Sequence, residues 1–503
     1  MSGYHRLATG SGDTIRRSRL RPPCLHPPGT PRSRRPIALP GTPDPPTSSV
    51  SRGSGGSLGV THHGGKGPDD VELDALVVGG GPSGSVTALL LARAGWQVEL
   101  VDRTDFPRGK ACGECLNPAG VAILRELDLL EPVLATHPAP LEGWEISPLS
   151  EGRARGRFSG PDRALGIQRR TFDHALLEAA RTAGVRVRTG TTLVEADPGG
   201  RGEPARVLLR GPAGQQERRR SRILIGADGL RSRVARAIGL ALPPRGPTRA
   251  SLTWRVAARG PSRRRGRLLL GRGCTVGFAP VGDPQGTLWN LTLVLTGSDR
   301  TGELKGSGWA RAIESLGDGG IVWSEPPEIV DGPWGSGSFH RPVRGVVRGR
   351  TLLVGDAAGY FDPLTGQGIF RALRSACLAA DSLTHGDSHR LPDHVDSADR
   401  SIRLHPGDMS RLEQYASTLD HGLRWSRRLQ KTIDWTLALE PARRVSLSAL
   451  RTLPGVASAL IRLTGDRPRT LLTVPSPTLP LTNPRKRTSP ADAAAHGDSG
   501  HLS

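Results

Sequence analysis

The run Val77-Val78-Gly79-Gly80-Gly81-Pro82-Ser83-Gly84 decides the fold. Leu73 to Val78 reads as a short buried strand. Val86, Leu89, Leu90 and Leu91 give the segment after it a helical apolar face. Gly79-x-Gly81-x-x-Gly84 therefore falls at a strand-to-helix turn. One glycine makes the tight turn, one lets a pyrophosphate reach the backbone, and one lets helix and strand pack closely. The helix start then offers free N–H groups and the positive end of its dipole to a phosphate. A second strand, Gln97 to Val101, ends in Asp102, a carboxylate about 20 residues past the glycines, where ribose hydroxyls are held. The bland alternative is a glycine-rich turn that binds nothing. Strand, turn, helix, strand and acid in that order argue against it. The expected fold class is α/β, with a Rossmann-type domain, but this motif does not choose between a nicotinamide and a flavin dinucleotide.

Two later fragments narrow the choice. Gly226-Ala227-Asp228-Gly229 stands mid-chain, and Gly355-Asp356-Ala357-Ala358-Gly359 stands late. Thr351 to Val354 reads as a buried strand end, which sets Asp356 at the carboxyl edge of a sheet, where α/β proteins bind ligands. Gly366 and Gly368 open a helix running through Ala372, Leu373, Ala376 and Leu378. Its start suits negative charge on a reduced ring. An ordinary strand–turn–helix with a solvent-facing Asp is the plain alternative. The density of small residues opposes it, because such a loop lets backbone lie on a flat ligand.

With the three fragments in this order, the chain resembles the FAD-dependent oxidoreductases of the p-hydroxybenzoate hydroxylase fold. Gly226-Ala227-Asp228-Gly229-x-x-Ser232-x-Val234-Ala235-Arg236 is similar to that family's second FAD motif. Arg169-x-x-Phe172-Asp173 resembles its arginine contact to the cofactor, and Gly355-Asp356 the acid that holds the ribitol or ribose. Asp356 to Ile369 closely resembles the geranylgeranyl reductase branch, whose pattern carries Glu where Gln367 stands. The resemblance spans roughly residues 71 to 470. It implies bound FAD, no metal, and NAD(P)H as electron donor. The implied cofactor residues are Gly79, Gly81, Gly84, Asp102, Arg169, Asp228, Gly229, Gly355, Asp356, Pro363, Gly366 and Gly368. It further implies an FAD-binding domain over 71–240 and 346–385, an inserted β-sheet substrate domain over 241–345, and C-terminal helices over 386–475.

Within the insert, Leu252 to Val256 and Trp289 to Leu295 fit strands. Alternation puts Trp289, Leu291, Leu293 and Leu295 on one face, either lining a substrate cavity or forming ordinary core, the commoner fate. Val276 to Gly282 reads as the loop before that strand. It keeps Pro280 of an aromatic-rich reductase pattern but none of the three aromatics, a departure that counts against a geranylgeranyl substrate. Residues 405–465 read as amphipathic helices. Leu412, Tyr415, Leu419, Leu423 and Trp425 form one stripe, and Leu429, Ile433, Leu437 and Leu439 another. A helical cap on the core is the first reading and a membrane-surface helix the second.

Phe106 to Pro118 holds Lys110, Cys112 and Cys115. Lys110-x-Cys112-Gly113 resembles a reductase segment near the flavin ring, and Cys115 departs from it. A zinc site would need two more ligands. A dithiol exchanging electrons with the flavin would make this a disulfide reductase, but no second Gly-x-Gly-x-x-Gly unit follows. The third reading is a loop closing over the flavin, with Lys110, Arg108 and Cys112 facing it. Cys115 alone reads as a small buried residue.

Composition bounds the rest. The chain has 503 residues, 36% of them apolar, with the deficit concentrated in 1–70 and 476–503, which read as disordered. Met1 is the only methionine before Met409, so the start is open to having been mis-assigned, with a true start nearer Val71. Net charge is +22, carried mainly by Arg. A GC-rich genome explains that more simply than nucleic acid, for which no recognition motif is visible. Weak attraction to an anionic membrane surface stays open. No run reaches the ~18 apolar residues of a membrane span, and a cytoplasmic enzyme is expected. Five cysteines give no disulfide framework. The expected partner is a small hydrophobic substrate. Two functions remain: saturation of carbon–carbon double bonds in an isoprenoid or polyketide-like lipid, or hydroxylation of an aromatic or polyketide substrate with NAD(P)H and oxygen.

Overall fold

The computed structural model describes residues 72–465 apart from 149–153, 160–161, 245–248, 259–263, 272, 284–285, 298–326, 361–363 and 385–407. The expected terminal arms, Pro363 and, of the expected helical region, 386–407 and 466–475 lie outside the described residues.

The chain opens β1 (Glu72–Val78), α1 (Pro82–Arg93), β2 (Val98–Val101), β3 (Cys115–Leu116), α2 (Pro118–Glu126) and α3 (Leu130–Leu134). It continues through β4 (Ala139–Leu141), β5 (Gly143–Pro148), β6 (Ala154–Arg157), β7 (Ala164–Gly166), α4 (Arg169–Thr182) and β8 (Arg186–Arg188). Next come β9 (Thr192–Asp197), β10 (Ala205–Arg210), β11 (Gln216–Gly226), α5 (Arg233–Ala237), β12 (Arg249–Ala257), β13 (Arg265–Gly271) and β14 (Cys274–Pro280). The described chain ends with β15 (Leu288–Thr296), β16 (Glu328–Gly337), β17 (Val347–Arg348), β18 (Thr351–Leu353), α6 (Gly368–Thr384), α7 (Asp408–Ala438), α8 (Glu440–Thr452) and α9 (Pro454–Gly465).

The first sheet runs β17-β18-β11-β1-β2-β8, with β10 and β9 added beside β11. β18, β11, β1, β2 and β8 are mutually parallel. Their runs are apolar on both faces: Leu76, Val77, Ile223, Leu224, Ile225, Leu352 and Leu353 are fully buried. Such continuous burial is what helices packed on the sheet require. The three motif strands β1, β11 and β18 are immediate neighbours here. The three glycine-bearing loops therefore meet at one carboxyl edge, although the sequence separates them widely. This is the α/β, Rossmann-type arrangement expected.

The second sheet runs β16-β12-β15-β14-β13-β5-β6. It is antiparallel except where β13 pairs with β5. Two differences from the sequence reading follow. β5 and β6 come from the part of the chain assigned to the first domain, yet they extend this sheet. Val276 to Pro280 is a strand, β14, hydrogen-bonded on both sides to β13 and β15, not a loop. Trp289, Leu291, Leu293 and Leu295 pack with Trp254, Val256, Leu269, Val276 and Phe278 in a second hydrophobic cluster. They are core and do not line the cavity.

The C-terminal helices are core on only part of their surface. Leu412, Tyr415, Leu419 and Leu423 of α7 join the first core, and Tyr415 Oη donates to the Leu353 carbonyl at 2.7 Å. Trp425, expected on the same stripe, is 46% exposed. Leu439 is exposed as well, while Leu429 and Ile433 are half-buried. Among the described residues, no helix is long and apolar enough to cross a membrane.

Candidate active site

The first loop divides its glycines by task. A Cβ on Gly79 (φ +112°) would stand 2.4 Å from the Ala227 carbonyl oxygen, and one on Gly84 would stand 1.8 Å from the Gly79 carbonyl oxygen. These two glycines permit the packing of the first loop on the second and of α1 on its own loop. Gly81 has nothing within 4 Å of its Cβ position. It faces open space, as a residue approached by a phosphate must. Gly81 is also the N-cap of α1 and leaves that end without a side-chain cap. Asp102 steadies the loop: Oδ2 accepts from the Gly80 N–H at 2.7 Å, and Oδ1 from the backbone N–H and hydroxyl of Thr104.

The third loop locks onto the first. Gly355 (φ +60°) would set a Cβ 2.5 Å from Ser83 Oγ, and its N–H donates to Ser375 Oγ at 2.8 Å. Asp356 lies in the short 3-10 turn Gly355–Ala358 and borders the cavity. Gly366 and Gly368 have nothing within 4 Å of their Cβ positions. In the second loop, Asp228 Oδ2 accepts from the backbone N–H groups of Arg233 (2.5 Å) and Val234 (3.2 Å), so it helps the N-cap Ser232 to cap α5. Burial raises its pKa against the lowering effect of these bonds. Gly229 (φ +79°) stands beside Lys110, whose Nζ lies 3.7 Å from where a Gly229 Cβ would be.

Lys110, Cys112, Arg169 and Asp356 border one cavity. Burial pushes the Lys110 ammonium below its ordinary pKa, helped by Arg169 and Arg108 and opposed by Asp356 and Asp173. Arg169 turns its guanidinium onto Asp173 in a bidentate pair, both bonds 2.7 Å. Burial lowers the Arg169 pKa, but Asp173 and then Cys112 outweigh it and leave it raised. Cys115 is buried in β3, and burial pushes its thiol up to about 12. It stays protonated at neutral pH, which fits a small buried residue and not half of an exchanging dithiol.

Glu114 was not singled out from the sequence, yet it joins the parts. Its carboxylate is fully buried and accepts from the Arg169 N–H (2.7 Å), Arg255 Nη2 (2.5 Å) and Asn290 Nδ2 (3.1 Å). The Cys112 carbonyl accepts from Asn290 Nδ2 (3.0 Å) and Thr292 Oγ1 (3.4 Å). The Lys110–Cys115 loop is thus pinned between the start of α4 and the second sheet.

The cavity has a volume of about 840 Å³. Gly81, Gly229, Asp356, Gly366 and Gly368 border it at the first sheet. Ser251, Thr275, Asn290, Thr292 and Val294 border it on the side of the second sheet opposite its core. Trp144, Phe158, Leu268, Leu270 and the inner sides of α7–α9, including Ile433, Leu450 and Ile461, make the remainder apolar. Open glycines beside a carboxylate and an uncapped helix start, leading into an apolar chamber, fit a flat dinucleotide with its ring toward a hydrophobic substrate. Among the described residues no group of three or more His, Cys, Asp or Glu is placed to hold a metal.

The profile of the FAD binding domain family matches residues 72–396, and the chain belongs to that family. It is an FAD-dependent oxidoreductase of the geranylgeranyl reductase-like branch. A menaquinone reductase of Mycolicibacterium smegmatis is 28% identical over 342 residues, covering 63% of this chain and 78% of that protein. A digeranylgeranylglycerophospholipid reductase of Methanosarcina mazei is 30% identical over 328 residues, covering 62% and 75%. The fold matches the crystal structure of a flavoprotein/dehydrogenase from Cytophaga hutchinsonii with TM-score 0.64 and 18% identity, covering 78% of this chain and 93% of that one.

Proposed function

We propose that this protein saturates carbon–carbon double bonds in an isoprenoid-type lipid. The observation that carries the reading is the single cavity that joins the glycine cradle to an apolar chamber. The names of the similar reductases support it. Gly81 and the start of α1, set in place by the packing of Gly79 and Gly84, would take the pyrophosphate, Asp102 and Asp356 the sugar and ribitol hydroxyls, and the Gly366–Gly368 edge the ring. Gly229 and Gly355 would let the second and third loops close on it. Asp228 would act through the cap it gives α5, and Arg169 through its hold on Asp173. NAD(P)H would recharge the cofactor, and the enzyme would work in the cytoplasm.

Bound FAD supplies the reducing equivalents. The protein supplies the rest. Saturating a double bond also consumes a proton, and Lys110 Nζ, with its lowered pKa, would hold it beside the cradle. Glu114 and Asn290 fix the loop that carries Lys110. The apolar chamber excludes water and aligns the chain. Ser251, Thr275, Asn290 and Thr292 give the chamber a polar side, which suits a lipid with a polar head.

The test is product mass. With NAD(P)H and a geranylgeranylated lipid or menaquinone, the product should gain one H2 per bond reduced. A product that instead gains an oxygen atom in air would replace this reading with the monooxygenase.

A further inference from the structure

We propose that the outer face of α7–α9 is a docking surface for an anionic lipid bilayer. Ten large hydrophobic side chains are exposed among the described residues, and seven of them lie between Trp425 and Leu463. Trp435 is 63% exposed and Val445 70%. Trp435 lies on the last turns of α7 and Leu439 at the α7–α8 junction, where its N–H donates to the Trp435 carbonyl at 3.3 Å. A soluble surface scatters such side chains singly, and a concentration of them marks an interaction face.

Charge selects the occupant. The segment 421–465 carries eight Arg or Lys against two Asp or Glu. Arg428, Lys431, Arg444 and Arg462 are exposed among the apolar residues. Protein interfaces exclude charge from their cores. Here basic and apolar residues interleave, as Arg444 with Val445 and Arg462 with Leu463. That pattern suits a bilayer, where Trp, Leu and Val enter the acyl boundary while long basic side chains reach the phosphates.

The surface is continuous with the cavity. Ile433, Leu450 and Ile461 line the cavity from the inside of the same helices. Val456 lines it too and is 39% exposed, so it stands at the boundary of both. The use of the surface rests on the lipid-substrate reading, since a substrate dissolved in the bilayer would reach the cavity past Val456. Binding to the bilayer is measured without substrate.

The experiment floats full-length holoprotein with vesicles of phosphatidylcholine alone, or of phosphatidylcholine mixed with phosphatidylglycerol. The protein should float with the mixed vesicles, less with phosphatidylcholine alone, and high salt should release it. A Trp435→Gln, Leu439→Gln double variant alters neither cavity nor core. It should keep its flavin absorbance and bind the mixed vesicles at least about tenfold more weakly. Unchanged binding of the double variant would overturn the proposal and assign attachment to basic segments elsewhere. A dimer in solution that the double variant dissociates would also overturn it, assigning the face to a second copy. Wild-type protein that fails to float yet reduces detergent-dispersed lipid would overturn the docking and leave the reductase reading standing.

Discussion

Gln367 stands where the family pattern carries Glu, and its contacts give a reason. Its Nε2 donates to the Thr464 carbonyl at 2.8 Å and its Oε1 accepts from Ser426 Oγ at 2.5 Å. A carboxylate would turn an oxygen onto that carbonyl. The residue therefore ties the third loop to α7 and α9, which roof the cavity. Gly79, Gly81 and Gly84 were legible in the sequence because turn, approach and close packing are local demands that only glycine meets. Glu114 was not legible. Its partners lie 55, 141 and 176 residues away, and no local pattern announces a convergence of that kind. Lys110 sits between these cases, since its place near the cradle was expected and its electrostatics came from the fold. Replacing it tests its role: Lys110→Met should lower turnover about 100-fold with flavin content unchanged, the range for losing a positioned proton donor. Unchanged turnover would remove the proton from Lys110.

Among the elements, β15 shows what alternation can and cannot say. The spacing of Trp289, Leu291, Leu293 and Leu295 correctly put them on one face. It could not say which face met the cavity, because both faces of this sheet are covered. The apolar face packed into the core, and the opposite face, with Asn290, Thr292 and Val294, turned to the cavity. α7 depends on a contact that periodicity does not encode. Asp408, at its start, accepts from Arg222 Nε (2.9 Å) and Nη2 (2.6 Å) and from Arg350 Nη1 (2.7 Å), all buried. Burial pulls the Asp408 pKa up, but Arg222 and then Arg350 outweigh it and leave it lowered. Because the folded pKa is depressed, this stabilisation is full above the ordinary aspartate value of about 3.9 and is lost as pH falls through the lowered one. Asp408→Asn should cost about 3–5 kcal/mol at neutral pH, since it leaves two buried guanidinium groups short of charge. Denaturant titration should show the gap to wild type closing in acid below pH ~4. An equal gap at both pH values would contradict this.

At the scale of the whole molecule, function follows from strand order. Three short loops from distant parts of the chain become one cradle because β18, β11 and β1 are adjacent and parallel. The order of the motifs made the cofactor class legible without that topology. The extent of the second sheet was not legible, because β5 reaches it by parallel pairing with β13, which follows more than a hundred residues later. The cavity needs all these parts, with the cradle from one sheet, the polar side from the other and the apolar remainder from the helices.

Electrons should leave this protein into a double bond without oxygen. The measurement is the flavin absorbance of reduced holoprotein mixed anaerobically with a geranylgeranylated lipid or menaquinone. The oxidised flavin spectrum should return while oxygen is absent, with one H2 added to the lipid per flavin reoxidised. A flavin that stays reduced until oxygen is admitted, and then yields an oxygenated product, would contradict it.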